Sequence, residues 1–405
     1  LTLQDVSLKY NKATELLNKG NYKKALSGFK EVIRTYPCKE AYTNIGNCYR
    51  ALGQDKLMFD SYEKALSPRT PYLDSSSTSH LHAMNNLGLA QYMYGDDDAA
   101  IALYTRAIKE KPDFWEAWWN CSTAKLRIAS STNTGWSEAW EMYKARFLKS
   151  PPVVLKNKRP GLEYWDTISS GDAIVILVEQ GIGDSIMFGR YLSLLPFKRV
   201  YVQCDPSLEP IFSDFICVRD AIDINEDSLV AYPICSLGEC FLDIPPGDWL
   251  KGKFGSHEFD SSRLNIGIVW AGSPTHANDA YRSVPINRFH GLSRHADLFS
   301  LTPGFKSTKF VTGLDIKSWE DTARYINGLD LVIGVDTSVM HMCGSLGRPG
   351  LLLQPYKETD FRWGVIPSKD VISTTSVWYD SIRVINNPQS WETVFSRVES
   401  LICGT

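Results

Sequence analysis

LDLVIGVDTSVMHMCGSLGRP, residues 329–349, contains the transition that decides the fold of the C-terminal half. Five of the six residues from Leu329 to Gly334 are apolar or glycine, the texture of a buried strand. Asp336, Thr337 and Ser338 supply helix-capping chemistry, and Val339 to Leu346 has helical spacing that stops at Gly347 and Pro349. A buried strand that turns directly into a helix leaves backbone N–H groups and a positive dipole end at the carboxyl edge of a sheet. An anionic group is stabilised at such a place.

Working outward, the same texture recurs. Ala173 to Glu179, AIVILVE, reads as a central parallel strand, followed by Gly181-Ile182-Gly183-Asp184 and a helical pattern through Leu195. Arg199 to Cys204 reads as the next strand. A second series opens at Leu264 to Trp270 and continues through Phe310 to Leu314 and Leu329 to Val335. Strands alternating with helices predict parallel sheets, and the Gly/Pro/charged stretch from Pro245 to Ser262 divides them into two Rossmann-like lobes.

The first 130 residues have a different pattern, because they repeat. Gly20, Ala25, Phe29 and Pro37 are echoed by Gly53, Tyr62 and Ala65, and again by Gly95, Ala100, Tyr104, Ala107 and Pro112. Unit starts near residues 6, 39, 81 and 115 give spacings of 33, 42 and 34, with the Pro/Ser-rich loop from Pro68 to Ser79 inside the long interval. Small residues let paired helices approach and aromatics fill the gap to the next pair, so stacked units bury a core that none could bury alone. The pattern resembles tetratricopeptide repeats, which implies a surface for a peptide or protein partner. The tryptophans at 115, 118, 119, 136 and 140 read as a packing seam toward the next domain.

The expected organisation is therefore α plus α/β. A repeat α-solenoid spans residues 1–130 and a helical linker 131–165. The first lobe covers 166–255, the second covers 256–385, and a C-terminal helix at 386–405 packs back on the lobes. The formal charge of −3 excludes a generally basic nucleic-acid binder, and no apolar run reaches the roughly 20 residues of a membrane span. Nine scattered cysteines without CxxC pairs suggest reduced thiols and a cytoplasmic setting, and no metal-ligand cluster is visible. The chain begins at Leu1 rather than Met, which points to sequence upstream.

Four elements could carry chemistry. The Gly181–Gly183 turn brings backbone close to a ligand, and Asp184 can cap the helix or accept a proton. The loop after Trp270 carries His276, Asn278, Asp279 and Arg282, whose guanidinium suits a diphosphate or a surface salt bridge. The Asp336–Ser338 turn is the third. The fourth, LLLQPYKETDFRW, ends in a loop with Asp360, Arg362 and Trp363, whose ring would stack on a base or seal the lobe.

In this order the motifs EQGIGDSIMFGRYLSLL, IGIVWAGSPTHANDAYRSVP, DTARYINGLDLVIGVDTSVMHMCGSLGRP and DFRWG resemble the C-terminal half of tetratricopeptide-repeat glycosyltransferase proteins. That half is similar in turn to heptosyltransferases, and the resemblance covers residues 175–400. It implies the B-type glycosyltransferase architecture and metal-independent, inverting transfer from a nucleotide-diphosphate sugar, with no cofactor. The acceptor would be a glycan, a lipid-linked saccharide or a protein. By the same resemblance Asp184 is the general base, and Arg282, Asp336, Thr337 and Ser338 bind the donor; His341, one helical turn beyond, either reaches the same phosphate or packs. Gly181, Gly183, Trp270, Asn278, Asp360 and Trp363 fall around the cleft. Heptosyltransferases commonly have lysine where this chain has Arg282, and Met340, Met342 and Cys343 replace the small residues usual in that helix. The alternative from another class is a non-catalytic adaptor that keeps the fold.

Overall fold

The computed structural model describes residues 2–148, 163–165, 170–226, 228–241, 243–260, 262–274, 279–357, 359–366, 373–386 and 390–403. Two compact units divide at Lys125 and Leu126.

The first unit is built from helix pairs: α1 (Leu3–Asn18) with α2 (Tyr22–Thr35), α3 (Lys39–Ala51) with α4 (Asp55–Leu66), and α5 (Ser79–Met93) with α6 (Asp97–Glu110). α7 (Trp115–Thr132) begins in this unit and ends in the next. The turn within each pair is made by Gly20, Gly53 or Gly95, all at positive φ, where a side chain would be strained. Small-to-aromatic packing follows the repeat: a Cβ on Gly46 would lie 2.3 Å from Tyr62, and one on Gly88 2.7 Å from Tyr104. The Pro/Ser-rich insertion is fastened by two buried charges. Glu40 accepts from the Leu73 N–H at 2.9 Å, and Lys39 Nζ donates to the carbonyls of Ala65 and Ser67 at 2.9 and 2.8 Å.

The second unit opens with the end of α7, then α8 (Trp136–Tyr143) and a 3-10 turn, Lys144–Leu148. The sequence reading ended the repeats at residue 130 and called 131–165 a linker. α8 is instead packed into the second unit, with Trp140 against Phe188 and Phe361 and Trp136 against Trp378. Residues 149–162 of that linker lie outside the described residues.

A five-stranded parallel sheet follows, with strands β1 (Glu163–Tyr164), β2 (Gly171–Leu177), β3 (Phe197–Gln203), β4 (Ile216–Val218) and β5 (Leu229–Pro233) in the order β1-β5-β2-β3-β4. β1 begins before residue 166, where the first lobe was expected to start. Its helices are α9 (Ile182–Phe188), shorter than the sequence suggests because the chain tightens into a 3-10 segment at Gly189, and α10 (Leu237–Cys240). Ala173, Val175, Leu177, Leu229 and Ala231 form a core on one face.

The second sheet has seven strands. They are β6 (Leu264–Val269), β7 (Ala296–Ser300), β8 (Thr312–Gly313), β9 (Leu331–Val335), β10 (Gly350–Gln354), β11 (Ser373–Thr375) and β12 (Ile382–Asn386). Their order is β11-β12-β10-β9-β6-β7-β8, parallel except for β11 on β12. The strand read at Phe310 to Leu314 shrinks to the two residues of β8. Helices α11 (Asp279–Arg282), α12 (Trp319–Gly328), α13 (Ser338–Ser345) and α14 (Trp391–Cys403) complete it. Val394, Phe395 and Val398 of α14 are buried in this sheet's core with Ile266, Phe289 and Leu353. The C-terminal helix thus packs on the second lobe.

Candidate functional site

β2 ends in the turn Glu179-Gln180-Gly181, and Gln180 there takes a φ of 60°, unusual for a residue with a side chain. Buried groups hold that turn. Arg146 of the 3-10 turn after α8 grips Glu179 through two contacts, at 3.1 and 2.8 Å, with both side chains almost fully buried. Arg146 also donates to Ser236 and to the carbonyl of Tyr143. The Tyr143 hydroxyl in turn accepts from Gln180 Nε2 at 3.0 Å. α9 then begins, with Asp184 in its first turn. Asp184 Oδ2 accepts from the Gly181 N–H at 3.0 Å, so the capping reading of this residue holds.

The other oxygen of Asp184 does something the sequence did not show. It accepts from Arg362 Nε at 2.7 Å, and Arg362 also places Nη1 2.9 Å from both oxygens of Asp360. One guanidinium from the second lobe thus ties a carboxylate of the first lobe to one of its own. Burial works against the charge on Asp360, but Arg362 outweighs it and holds the carboxyl below its usual range. Asp336 goes the other way: burial and then the neighbouring Asp360 push its carboxyl up.

The second lobe presents the turn from β9 into α13. Asp336 Oδ1 accepts from Trp363 Nε1 at 2.9 Å, and the Asp336 carbonyl accepts from Arg282 Nη1 at 2.9 Å. Arg282, only 7% exposed, is further paired with Asp279 at 3.2 Å. Its guanidinium lies against Gly272, where a Cβ would come 2.3 Å from Nη2. Thr337 is the residue before α13, but its side chain makes no capping bond, and its buried hydroxyl has no partner among the described residues. The capping that Asp336–Ser338 suggested in the sequence is therefore not made by Asp336 or Thr337.

The two turns meet. A Cβ on Gly183 would lie 2.8 Å from His341 Cδ2 and 3.5 Å from the Ser338 Cα, so α9 and α13 approach with their first turns in contact. His341, read as a donor ligand, is 3% exposed here and packed between aromatics. It stacks on Trp363 at 4.4 Å and its Nδ1 is 3.0 Å from the Tyr379 hydroxyl. Burial first, and then Arg362, drive its pKa down to about 3, so the ring is neutral. Trp363 is fully buried and seals the lobe, and Trp270 packs edge-on to Phe305 at 4.9 Å. Asn278 lies outside the described residues.

Beside the Gly-Asp turn a cavity of about 500 Å³ opens at the carboxyl edge of β2 and β3, lined by Gln180, Gly181, Ile182, Ser185, Gln203 and Arg219 among others. Among the described residues no group of three His, Cys, Asp or Glu side chains could hold a metal ion, and no helix is long and apolar enough to cross a membrane.

Comparison with known proteins accounts for the repeats. Residues 40–109 match the tetratricopeptide-repeat family model. The curated Protein FlbA of Caulobacter vibrioides is 20% identical over 410 residues, covering 78% of this chain and 66% of FlbA, so this chain spans just under two thirds of that relative. Among solved structures, MamA from Desulfovibrio magneticus RS-1 is similar over 36% of this chain and 77% of its own, at 18% identity and a TM-score of 0.29. A mutant O-GlcNAc transferase from Thermobaculum terrenum is similar over 88% of this chain and 83% of its own, at 13% identity and a TM-score of 0.34. The chain carries tetratricopeptide repeats. They precede a unit of two largely parallel α/β sheets.

Proposed function

We propose that the chain is an inverting, metal-independent glycosyltransferase of B-type architecture, which moves a sugar from a nucleotide-diphosphate donor to a hydroxyl acceptor. One observation carries this reading: the Gly-Asp turn of the first sheet and the Asp-Thr-Ser turn of the second meet at Gly183 and His341. On this reading the carboxylate of Asp184 takes the proton and the N-terminus of α13 holds the diphosphate, each at the carboxyl edge of its own sheet.

In the proposed reaction the acceptor occupies the cavity beside Gly181. Its hydroxyl attacks the anomeric carbon, and Asp184 takes the proton. The bond from the anomeric carbon to the diphosphate oxygen breaks with its electron pair on the diphosphate. That charge is met by the backbone N–H groups at Ser338 and Val339, where preorganised donors are worth on the order of 3–4 kcal/mol each. Arg282 steadies the turn through the Asp336 carbonyl and adds its positive charge at the same edge. Arg362 orients Asp184 and must free one lone pair of that carboxylate for the proton to move. The repeats supply the surface for a protein or peptide partner, including an acceptor protein.

The test is calorimetry against UDP, GDP and ADP and their glucose conjugates with EDTA present. Saturable, base-selective binding that Asp184→Ala retains and Arg282→Ala weakens is expected, with sugar transfer abolished in Asp184→Ala. Silence across the panel from folded protein would favour the repeat-scaffold adaptor instead.

A further inference from the structure

At the carboxyl end of β10, Gln354 is 1% exposed, and among the described residues neither its amide nitrogen nor its carbonyl oxygen has a hydrogen-bond partner. Buried amides are almost always paired, so a side chain with both ends orphaned needs a reason. A leucine or methionine would fill the same space without leaving polar atoms unpaired.

The register shows where this amide stands. Leu353 pairs with Val335, so Gln354 sits beside Asp336, where β9 gives way to α13. Side chains alternate along a strand, so Gln354 shares a face of β10 with Gly350 and Leu352. A Cβ on Gly350 would meet Cys343 and Met340 of α13, each at 3.2 Å, which identifies that face as the one covered by α13. Leu351 and Leu353 point the other way, into the core shared with α14. Because a helix following a parallel strand runs back along the sheet, the carboxyl end of β10 lies under the beginning of α13. The hydroxyl of Thr337, buried and unpartnered as well, belongs to the same edge. Three orphaned polar atoms on two side chains therefore flank the helix N-terminus assigned to the donor phosphates.

We infer that Gln354 is a donor-recognition residue whose carboxamide binds two adjacent hydroxyls of the nucleotide sugar. The amide N–H donates to one hydroxyl oxygen and the amide oxygen accepts from the other, a pattern that a vicinal diol satisfies and a phosphate does not. The diol belongs either to the ribose or to the transferred sugar. This inference rests on the glycosyltransferase reading. The amide is 1% exposed, so binding must uncover it.

Gln354→Leu and Gln354→Met separate recognition from packing, because they should move stability and affinity in opposite directions. The full chain and both variants are compared for ligand-free Tm and for Kd by calorimetry with UDP, GDP and ADP and their glucose conjugates. We expect an equal or higher Tm and at least a tenfold weaker Kd. Weakening for nucleoside diphosphate and glucose conjugate alike assigns the diol to the ribose, and weakening for the conjugate alone assigns it to the transferred sugar. Unchanged affinity in variants of a chain that itself binds would overturn the role of Gln354 while leaving the glycosyltransferase reading intact. A wild-type chain that binds none of the six would overturn both.

Discussion

The two βα turns are made of similar parts and finished differently. In the first, Glu179 is gripped by Arg146, Gln180 by Tyr143, and the two oxygens of Asp184 by Gly181 and Arg362. In the second, Asp336 is held by Trp363 and Arg282, but the Thr337 hydroxyl and both ends of Gln354 are left unpaired. An orphaned buried group costs about 1–3 kcal/mol. The first turn is therefore complete as folded, whereas the second carries a cost that a ligand would relieve. The proposed reaction calls for this difference: a held carboxylate beside a turn that a ligand completes.

The comparison breaks most readily at the first turn. Arg146→Met would leave the Glu179 carboxylate buried and alone, at about 3–5 kcal/mol of stability, measured by urea unfolding. A loss below about 1 kcal/mol would mean that the turn is not held by this pair.

Gly183→Ala probes the contact between turns. The added methyl group, 2.8 Å from His341 Cδ2, should cost about 1–3 kcal/mol. A gain in stability, as helix propensity alone would give, would show that the two turns do not touch.

Acid should act through His341. Its folded pKa is lowered from 6.5 to about 3, so between those values the unfolded chain binds the extra proton. Stability from this group is full above pH 6.5 and falls as pH drops toward 3, by about 1.4 kcal/mol per pH unit. His341→Gln should remove that share of the slope in unfolding curves taken at pH 7, 6 and 5. An unchanged slope would place the histidine in a solvated setting.

The smallest expected effect sharpens the contrast at the second turn. Thr337→Val removes an unpaired hydroxyl and should change ligand-free stability by no more than about 1 kcal/mol, without loss. A marked loss would reveal a partner for that hydroxyl and weaken the case for an unfilled site.

Much of this was legible locally. The repeat glycines, the strand–turn–helix passages at residues 175–188 and 331–345 and the Asp-x-Arg-Trp loop all follow from short-range spacing. What stayed hidden depends on long-range partners. Arg362 lies 178 residues from Asp184, and periodicity says nothing about which carboxylate a loop arginine will meet. The Asp360 cap on the Arg362 N–H was the local sign that this loop is rigid enough to aim a side chain. Tyr143 and Arg146 fall within the stretch expected to be a helical linker, although Trp140 there carries the apolar face that docks on Phe188. Position on α13 leaves both readings of His341 open, a phosphate ligand or a packed ring. Its burial between Trp363 and Tyr379 is set by residues from other elements. Nothing in LLLQPYKETDFRW marks Gln354 out, and only the absence of partners among the described residues gives it meaning.

Hydrogen exchange by mass spectrometry, with and without saturating nucleotide from the UDP, GDP and ADP panel, reports on both turns together. Slowed exchange is expected in two separated segments at once, around Gly181–Phe188 and around Thr337–Ser345. Slowing confined to the repeats, or to only one of the two turns, would contradict a single site formed by both lobes.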